Sequence, residues 1–172
     1  LAIMKKANTK TVVKAKSMTT EEIDFNEELK GAGIQSIETD LGEYIVQLRN
    51  EPPYHIVTPA MHLSKEDVAK TFHEKKQTPL EWTPEQITTY VRLQLRQEYS
   101  KAEVGVSGAN FIIADAGAVA VTENEGNGVL SMSFPKIQIV IVGIEKVVPS
   151  INDMELFWPL LATHGTGQRM TV

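Results

Sequence analysis

Short β-branched runs alternate with capped helical patterns through the first half of the chain, and this alternation restricts the fold more than any other feature. Thr11 to Ser17 reads as a strand. Thr19-Thr20-Glu21-Glu22 behind it has a capping-box pattern, which predicts a helix from Glu21 to Lys30 stopped by Gly31 or Gly33. Ile34 to Glu38 reads as a second strand, and Asp40 opens a short amphipathic helix or turn over LGEYIVQL. Pro52-Pro53 then breaks the chain before a third short strand at His55 to Pro59. Ser64 caps a helix over Lys65 to Glu74. Thr83-Pro84-Glu85 starts the longest helix, which the spacing of Ile87, Val91, Leu93, Leu95 and Tyr99 carries to about Ser100. Strands separated by helices pair in parallel, so a sheet covered on both faces is predicted.

From Ala102 the texture changes. Short β-rich pieces occur at Glu103 to Val106, Phe111 to Ala114, Ala118 to Thr122, Leu130 to Ser133 and Ile137 to Val142, with Gly, Asn and Asp between them. These predict antiparallel additions to the α/β sheet, and Ile151 to Leu161 reads as a closing helix.

The 172 residues, 42% of them hydrophobic, suffice for one packed core, and a single domain over residues 1–172 is predicted. The most apolar stretch, Ile137 to Ile144, contains Gln138 and is too short to span a membrane. No signal peptide pattern follows Lys5-Lys6, which predicts a cytoplasmic address. Because the chain contains no cysteine, it cannot carry a disulfide, a thiolate nucleophile or an iron–sulfur cluster ligated by its own thiolates. Five of the 17 basic residues (Lys5, Lys6, Lys10, Lys14 and Lys16) lie in the first twenty positions, which hold no Asp or Glu. The rest sets 12 basic residues against 22 acidic ones, a poor match for a phosphate backbone, so no nucleic-acid partner is expected and the lysines read as a solvated face.

The glycine pairs Gly31/Gly33, Gly126/Gly128 and Gly165/Gly167 lack the third glycine of a dinucleotide fingerprint, and none precedes Lys-Ser/Thr. Gly105-Val106-Ser107-Gly108-Ala109 departs from a nucleophile elbow at its last position. His55, His62, His73 and His164 show no metal-ligand spacing, and no metal site is assigned. The densest polar group is Thr122-Glu123-Asn124-Glu125-Gly126-Asn127-Gly128, directly after an apolar strand. Strand-end loops of open α/β sheets hold ligands, and a carboxylate there can bind a hydroxylated ligand or act as base or nucleophile. A Gly/Asn hairpin turn explains the same composition. Ser107-Gly108-Ala109-Asn110 is a second such loop.

Val104-Gly105-Val106-Ser107-Gly108-Ala109-Asn110-Phe111, Ala114-Asp115-Ala116-Gly117 and Thr122 to Asn127 together resemble the LUD domain of lactate utilization proteins. Similar blocks are Thr39 to Leu48, His55-Ile56-Val57 with Pro59-Ala60, Gly143 to Pro149, and Gly165-Thr166-Gly167-Gln168, in the same order along the chain. The resemblance implies a NagB/RpiA/CoA-transferase-like, Rossmann-like α/β fold and a part in a multi-protein system that oxidises L-lactate to pyruvate, with the other subunits of that system as partners. It further implies [4Fe-4S] clusters in a Cys-rich C-terminal domain that passes electrons. With no cysteine here, and with an ending on a Gly-rich turn that leads into a strand, the chain reads as a fragment that stops before that domain. The domain itself is then non-catalytic or co-catalytic. Its expected ligand is a small anion, and the expected contacts are Ser107, Gly108, Asn110, Glu123, Asn124, Glu125, Gly126, Asn127, Gly165, Thr166 and Gly167. A remoter similarity, to CoA-transferases with a nucleophilic Glu-Asn-Gly turn, makes Glu123 a candidate catalytic residue of an acyl-CoA or sugar-phosphate enzyme, although Glu125 is inserted into that pattern.

Overall fold

Val12 and Val13 are neighbours on one strand, both fully buried, and they belong to two different hydrophobic cores. Successive side chains of a strand face opposite ways, so this pair alone shows a sheet covered on both sides. In the computed structural model, which describes residues 1–55, 57–123, 125–165 and 167, the strand is β1 (Thr11–Lys14), following a short helix α1 (Ala2–Lys6). Helices α2 (Met18–Glu22) and α3 (Phe25–Gly31) lead to β2 (Gln35–Glu38), and α4 (Leu41–Arg49), α5 (Lys65–Lys76) and α6 (Pro84–Lys101) lead to β3 (Val104–Ser107). A later helix, α7 (Asn127–Ser133), precedes β6 (Ile137–Val140). The four strands pair in parallel in the order β2-β1-β3-β6.

One face packs Val13 and Ile37 against Tyr44 and Ile45 of α4, Phe72 of α5, and Ile87, Val91 and Leu95 of α6. The other packs Val12, Val104 and Val106 against Met4 of α1 and Phe25 and Leu29 of α3. The capping box expected at Thr19-Thr20-Glu21-Glu22 does not form, because α2 starts one turn earlier, after Ser17, whose side chain makes no cap hydrogen bond. The N-caps expected at Ser64 and Thr83 are present, and each is a full capping box. Ser64 and Asp67 exchange hydrogen bonds at the start of α5, as do Thr83 and Gln86 at the start of α6.

The chain divides into two compact units, residues 1–108 with 123–141, and residues 109–122 with 142–172. The second unit holds a separate three-stranded sheet. Its strand β4 (Phe111–Ile113) pairs antiparallel with β5 (Ala118–Ala120) and parallel with β7 (Val147–Val148). Ile113, Ala120, Val148 and Met154 form its core, the last from helix α8 (Met154–Gly165). Among the described residues no helix is long and apolar enough to cross a membrane.

Three local expectations are corrected. The helix over Glu21 to Lys30 is two helices, broken at Asp24, whose φ of 49° lies in the left-handed region that Asp tolerates better than most residues. Leu130 to Ser133 is helical, because the loop before it supplies a helix N-terminus that outweighs a short apolar run of ambiguous period. No strand forms among the described residues of His55 to Pro59, where prolines remove backbone donors and the His55 ring accepts from the Val57 and Thr58 amides; Ile56 lies outside the described residues.

Gly105 marks where β3 meets α7. A Cβ at this position would land on the Ser131 carbonyl and within 2.6 Å of the Gln138 side-chain amide. Gly105→Ala is therefore expected to cost about 3 kcal/mol, since backbone must move to admit one methyl. Urea melts of the full-length protein check this, and a loss below about 0.5 kcal/mol would contradict it.

Candidate functional site

Open parallel sheets place ligands beyond the carboxyl ends of their strands, where the strand order switches direction. Here the switch falls between β1 and β3, the strands entered from opposite sides of the sheet. Nearly all buried charge of the first unit gathers at this edge.

The central element is Lys14, the last residue of β1, whose side chain is 0% exposed. Its ammonium donates to Glu38 Oε1 at 2.9 Å and Oε2 at 3.2 Å, and to Glu21 Oε1 at 3.0 Å. Glu38, at the end of β2 and 2% exposed, also accepts from Asn26 Nδ2 at 2.9 Å. Burial works against the Lys14 ammonium, but the Glu38 and Glu21 charges and hydrogen bonds outweigh it and hold its pKa above the ordinary value. Burial pushes Glu38 up as well, against the opposing pull of Lys14. Both directions mean that this cluster holds its protons more tightly than free side chains do. Lys14 is thus no part of a solvated face, which corrects the sequence-based expectation.

Toward the switch point, Asp40 caps α4 by accepting from the Glu43 amide at 3.0 Å, while its other oxygen accepts from Lys16 Nζ at 3.0 Å. Lys16 also donates to the Val57 carbonyl at 3.2 Å. Burial first and then the Asp40 charge raise the pKa of Glu125. Asn127 donates from Nδ2 to Glu125 Oε2 and to the Thr39 carbonyl, both at 3.3 Å. Beneath it, the Ser131 hydroxyl donates to the Asn127 carbonyl at 2.8 Å and lies 3.2 Å from the Thr39 hydroxyl; the Tyr99 hydroxyl donates to the same carbonyl at 3.3 Å. Ser107, buried at the end of β3, hydrogen-bonds the Gln138 amide at 2.8 Å. With its oxygen toward Ser107, that amide donates to the Ser131 and Gly105 carbonyls at 3.1 and 3.3 Å. Gly108 lies against Ser17, where a Cβ would come within 2.6 Å of the Ser17 hydroxyl.

Glu123 has a defined local task. Its two carboxylate oxygens accept from the Gly128 amide at 2.6 Å and the Val129 amide at 2.9 Å, at the N-terminus of α7. Orphan helix donors and the positive end of the helix dipole favour a carboxylate there. Gly126, with φ of 78°, makes the turn that brings the loop back to its own helix. Of the sequence-selected residues, Ser107, Gly108, Glu123, Glu125, Gly126 and Asn127 lie in the first unit, and Asn110, Gly165 and Gly167 in the second. Asn110 Oδ1 accepts from the Thr122 amide at 2.7 Å and so closes the β4–β5 ladder. Asn124 and Thr166 lie outside the described residues.

Sequence reasoning missed Lys14, Lys16, Glu21, Glu38, Asp40 and Glu43. The signal for Lys14 and Glu38 was their place at the last positions of the first two strands, where an α/β sheet turns side chains into the crevice. Among the described residues no group of three or more metal-ligating side chains converges, and with no cysteine the chain does not fit an iron–sulfur cluster. His62 pairs with Glu51 at 3.1 Å and His73 with the Thr78 carbonyl at 2.7 Å.

Glu43, 4% exposed, has its pKa raised to about 7, by burial first and then by the Glu38 charge. The unfolded chain ionises this group near 4.5, so its penalty on the fold is absent at pH 4 and complete once pH passes about 7. Glu43→Gln is expected to stabilise the full-length protein by about 2 kcal/mol at pH 8 and by little at pH 4. Denaturant melts at both pH values check the difference, and a pH-independent effect would contradict it.

The LUD domain family model matches residues 2–172. Lactate utilization protein B of Oceanobacillus iheyensis is 44% identical over 169 residues, covering 98% of this chain and 35% of the relative. Its namesakes in Bacillus subtilis and Bacillus cereus are 43% and 42% identical, again over 98% of this chain and 36% of their own length. The chain therefore spans about a third of the curated relatives it matches. No solved structure matches it significantly. With a family match along nearly its whole length and a parallel sheet carrying the matching motifs at its strand ends, the chain belongs to the LUD domain family.

Proposed function

We propose that this chain is the LUD domain of an iron–sulfur protein that takes part in the oxidation of L-lactate to pyruvate, as the electron-transfer subunit of a cytoplasmic multi-protein system. The relatives' name supports lactate utilization as the setting. The domain itself holds a ligand or joins subunits, and the [4Fe-4S] clusters of this reading belong outside residues 1–172. The observation that carries the non-redox role is the pairing of both lysines at the carboxyl edge. Lys14 is taken by Glu38 and Glu21, and Lys16 by Asp40. A carboxylate substrate entering this edge would meet carboxylates whose cations are already engaged.

The second reading, an acyl-CoA or sugar-phosphate enzyme with Glu123 as nucleophile, needs a carboxylate free to attack. Both Glu123 oxygens accept from backbone amides, which lowers their nucleophilicity and favours the capping role.

Anaerobically purified full-length protein is expected to contain iron and sulfide and to show a visible absorption band that bleaches when L-lactate and the partner subunits are added. Iron-free protein, or a band that L-lactate leaves unchanged, would overturn the reading. Glu123→Gln is expected to cost about 1 kcal/mol of stability while leaving the bleaching intact. Loss of bleaching in a folded Glu123→Gln protein would instead favour the nucleophile.

A further inference from the structure

A cleft of about 1060 Å³ runs along the free edge of β2, between α3 and α4, and reaches Gln94, Leu95 and Glu98 of α6. We propose that it is a binding site for a small organic cation, an ammonium or guanidinium compound, whose charged end pairs with the Glu43 carboxylate. The inference is independent of the lactate reading.

The cleft is lined by seven acidic and two basic side chains, and most of the acids already have partners. Glu21 and Glu38 share Lys14, Glu51 pairs with Arg49, and Glu27 with Lys30. Glu43 differs. It is 96% removed from solvent by its 4% exposure, lines the cleft, and its carboxylate takes no hydrogen bond or ion pair among the described residues. The Glu43 oxygens keep contact with solvent in the cleft and feel the Lys14 charge without a hydrogen bond from it, and a cation entering the cleft would supply a donor and an opposite charge.

The wall beside it already attracts one cation. The Lys76 ammonium, itself a lining residue, sits 5.8 Å from the centroid of the Tyr44 ring, close enough for a cation–π contact. Tyr44 follows Glu43 in α4, so an aromatic ring and an unpaired carboxylate come from one helical turn. A metal ion is a poorer match, since no three ligating side chains converge among the described residues.

An added peptide strand is also a poorer match. The Gln47 side chain occupies the edge of β2 as a strand would, accepting from the Glu38 amide at 3.2 Å and donating to the Ser36 carbonyl at 2.9 Å. With those groups satisfied, the edge offers little for backbone pairing, whereas the cleft floor still offers Glu43.

Titration calorimetry of the full-length protein with agmatine, at a pH above the Glu43 titration, tests this. Saturable binding is expected, weakened about tenfold or more by Glu43→Gln and tightened by Lys76→Met, which removes the resident cation. The uncharged isostere pentylurea is expected not to bind. No saturable heat, equal affinity in Glu43→Gln, weaker binding in Lys76→Met, or binding of an arginine-containing peptide without binding of agmatine would each overturn the proposal. Thermal melts of both variants establish that they are folded.

Discussion

A fully buried ammonium at the end of the central strand is the constraint around which the first unit is arranged. Lys14 is desolvated completely, a cost of several kcal/mol unless its donors are matched. The chain matches them with Glu38 from the neighbouring strand and Glu21 from the helix that follows β1. Glu21 comes from the short helix before the break at Asp24, and Phe25 and Leu29 of the helix after it enter the apolar core. Asn26, on the second of them, then donates to the same Glu38 carboxylate.

From Lys14 the polar order extends sideways along the carboxyl edge. The Lys14 carbonyl accepts from both the Thr39 amide and the Thr39 hydroxyl, at 3.0 Å each, which ties the end of β2 to the end of β1. Thr39 in turn meets Ser131 and Asn127 of α7, and Tyr99 of α6 reaches the same Asn127 carbonyl. Residues far apart in sequence thus become one connected network at the strand-order switch. Its lysines are paired within the network, Lys14 with Glu38 and Glu21 and Lys16 with Asp40.

Much of the fold was legible because it is written locally. Capping residues at Ser64 and Thr83, the apolar spacing of Ile87, Val91, Leu95 and Tyr99, and β-branched runs between helices all act within a few residues. The loop from Glu123 to Asn127 was also legible as a polar strand-end feature, although its glutamate caps a helix where a hairpin had been the competing explanation. The buried ion pairs were not legible. Lysines in an acid-free segment look solvated, and their partners lie 24 residues away across a parallel crossover that no local pattern reports. Leu130 to Ser133 was misread for a related reason, since its helix depends on a cap supplied from five residues before Gly128.

The claim that Lys14 organises this edge is tested most directly by a double-mutant cycle on the full-length protein with Lys14→Met and Glu38→Gln, read by urea melts. If the pair is coupled as its geometry requires, Lys14→Met alone costs about 3 kcal/mol or more, and the double variant recovers about 2 kcal/mol of the summed losses. Losses that simply add would show that the two groups do not depend on each other, and would contradict the account.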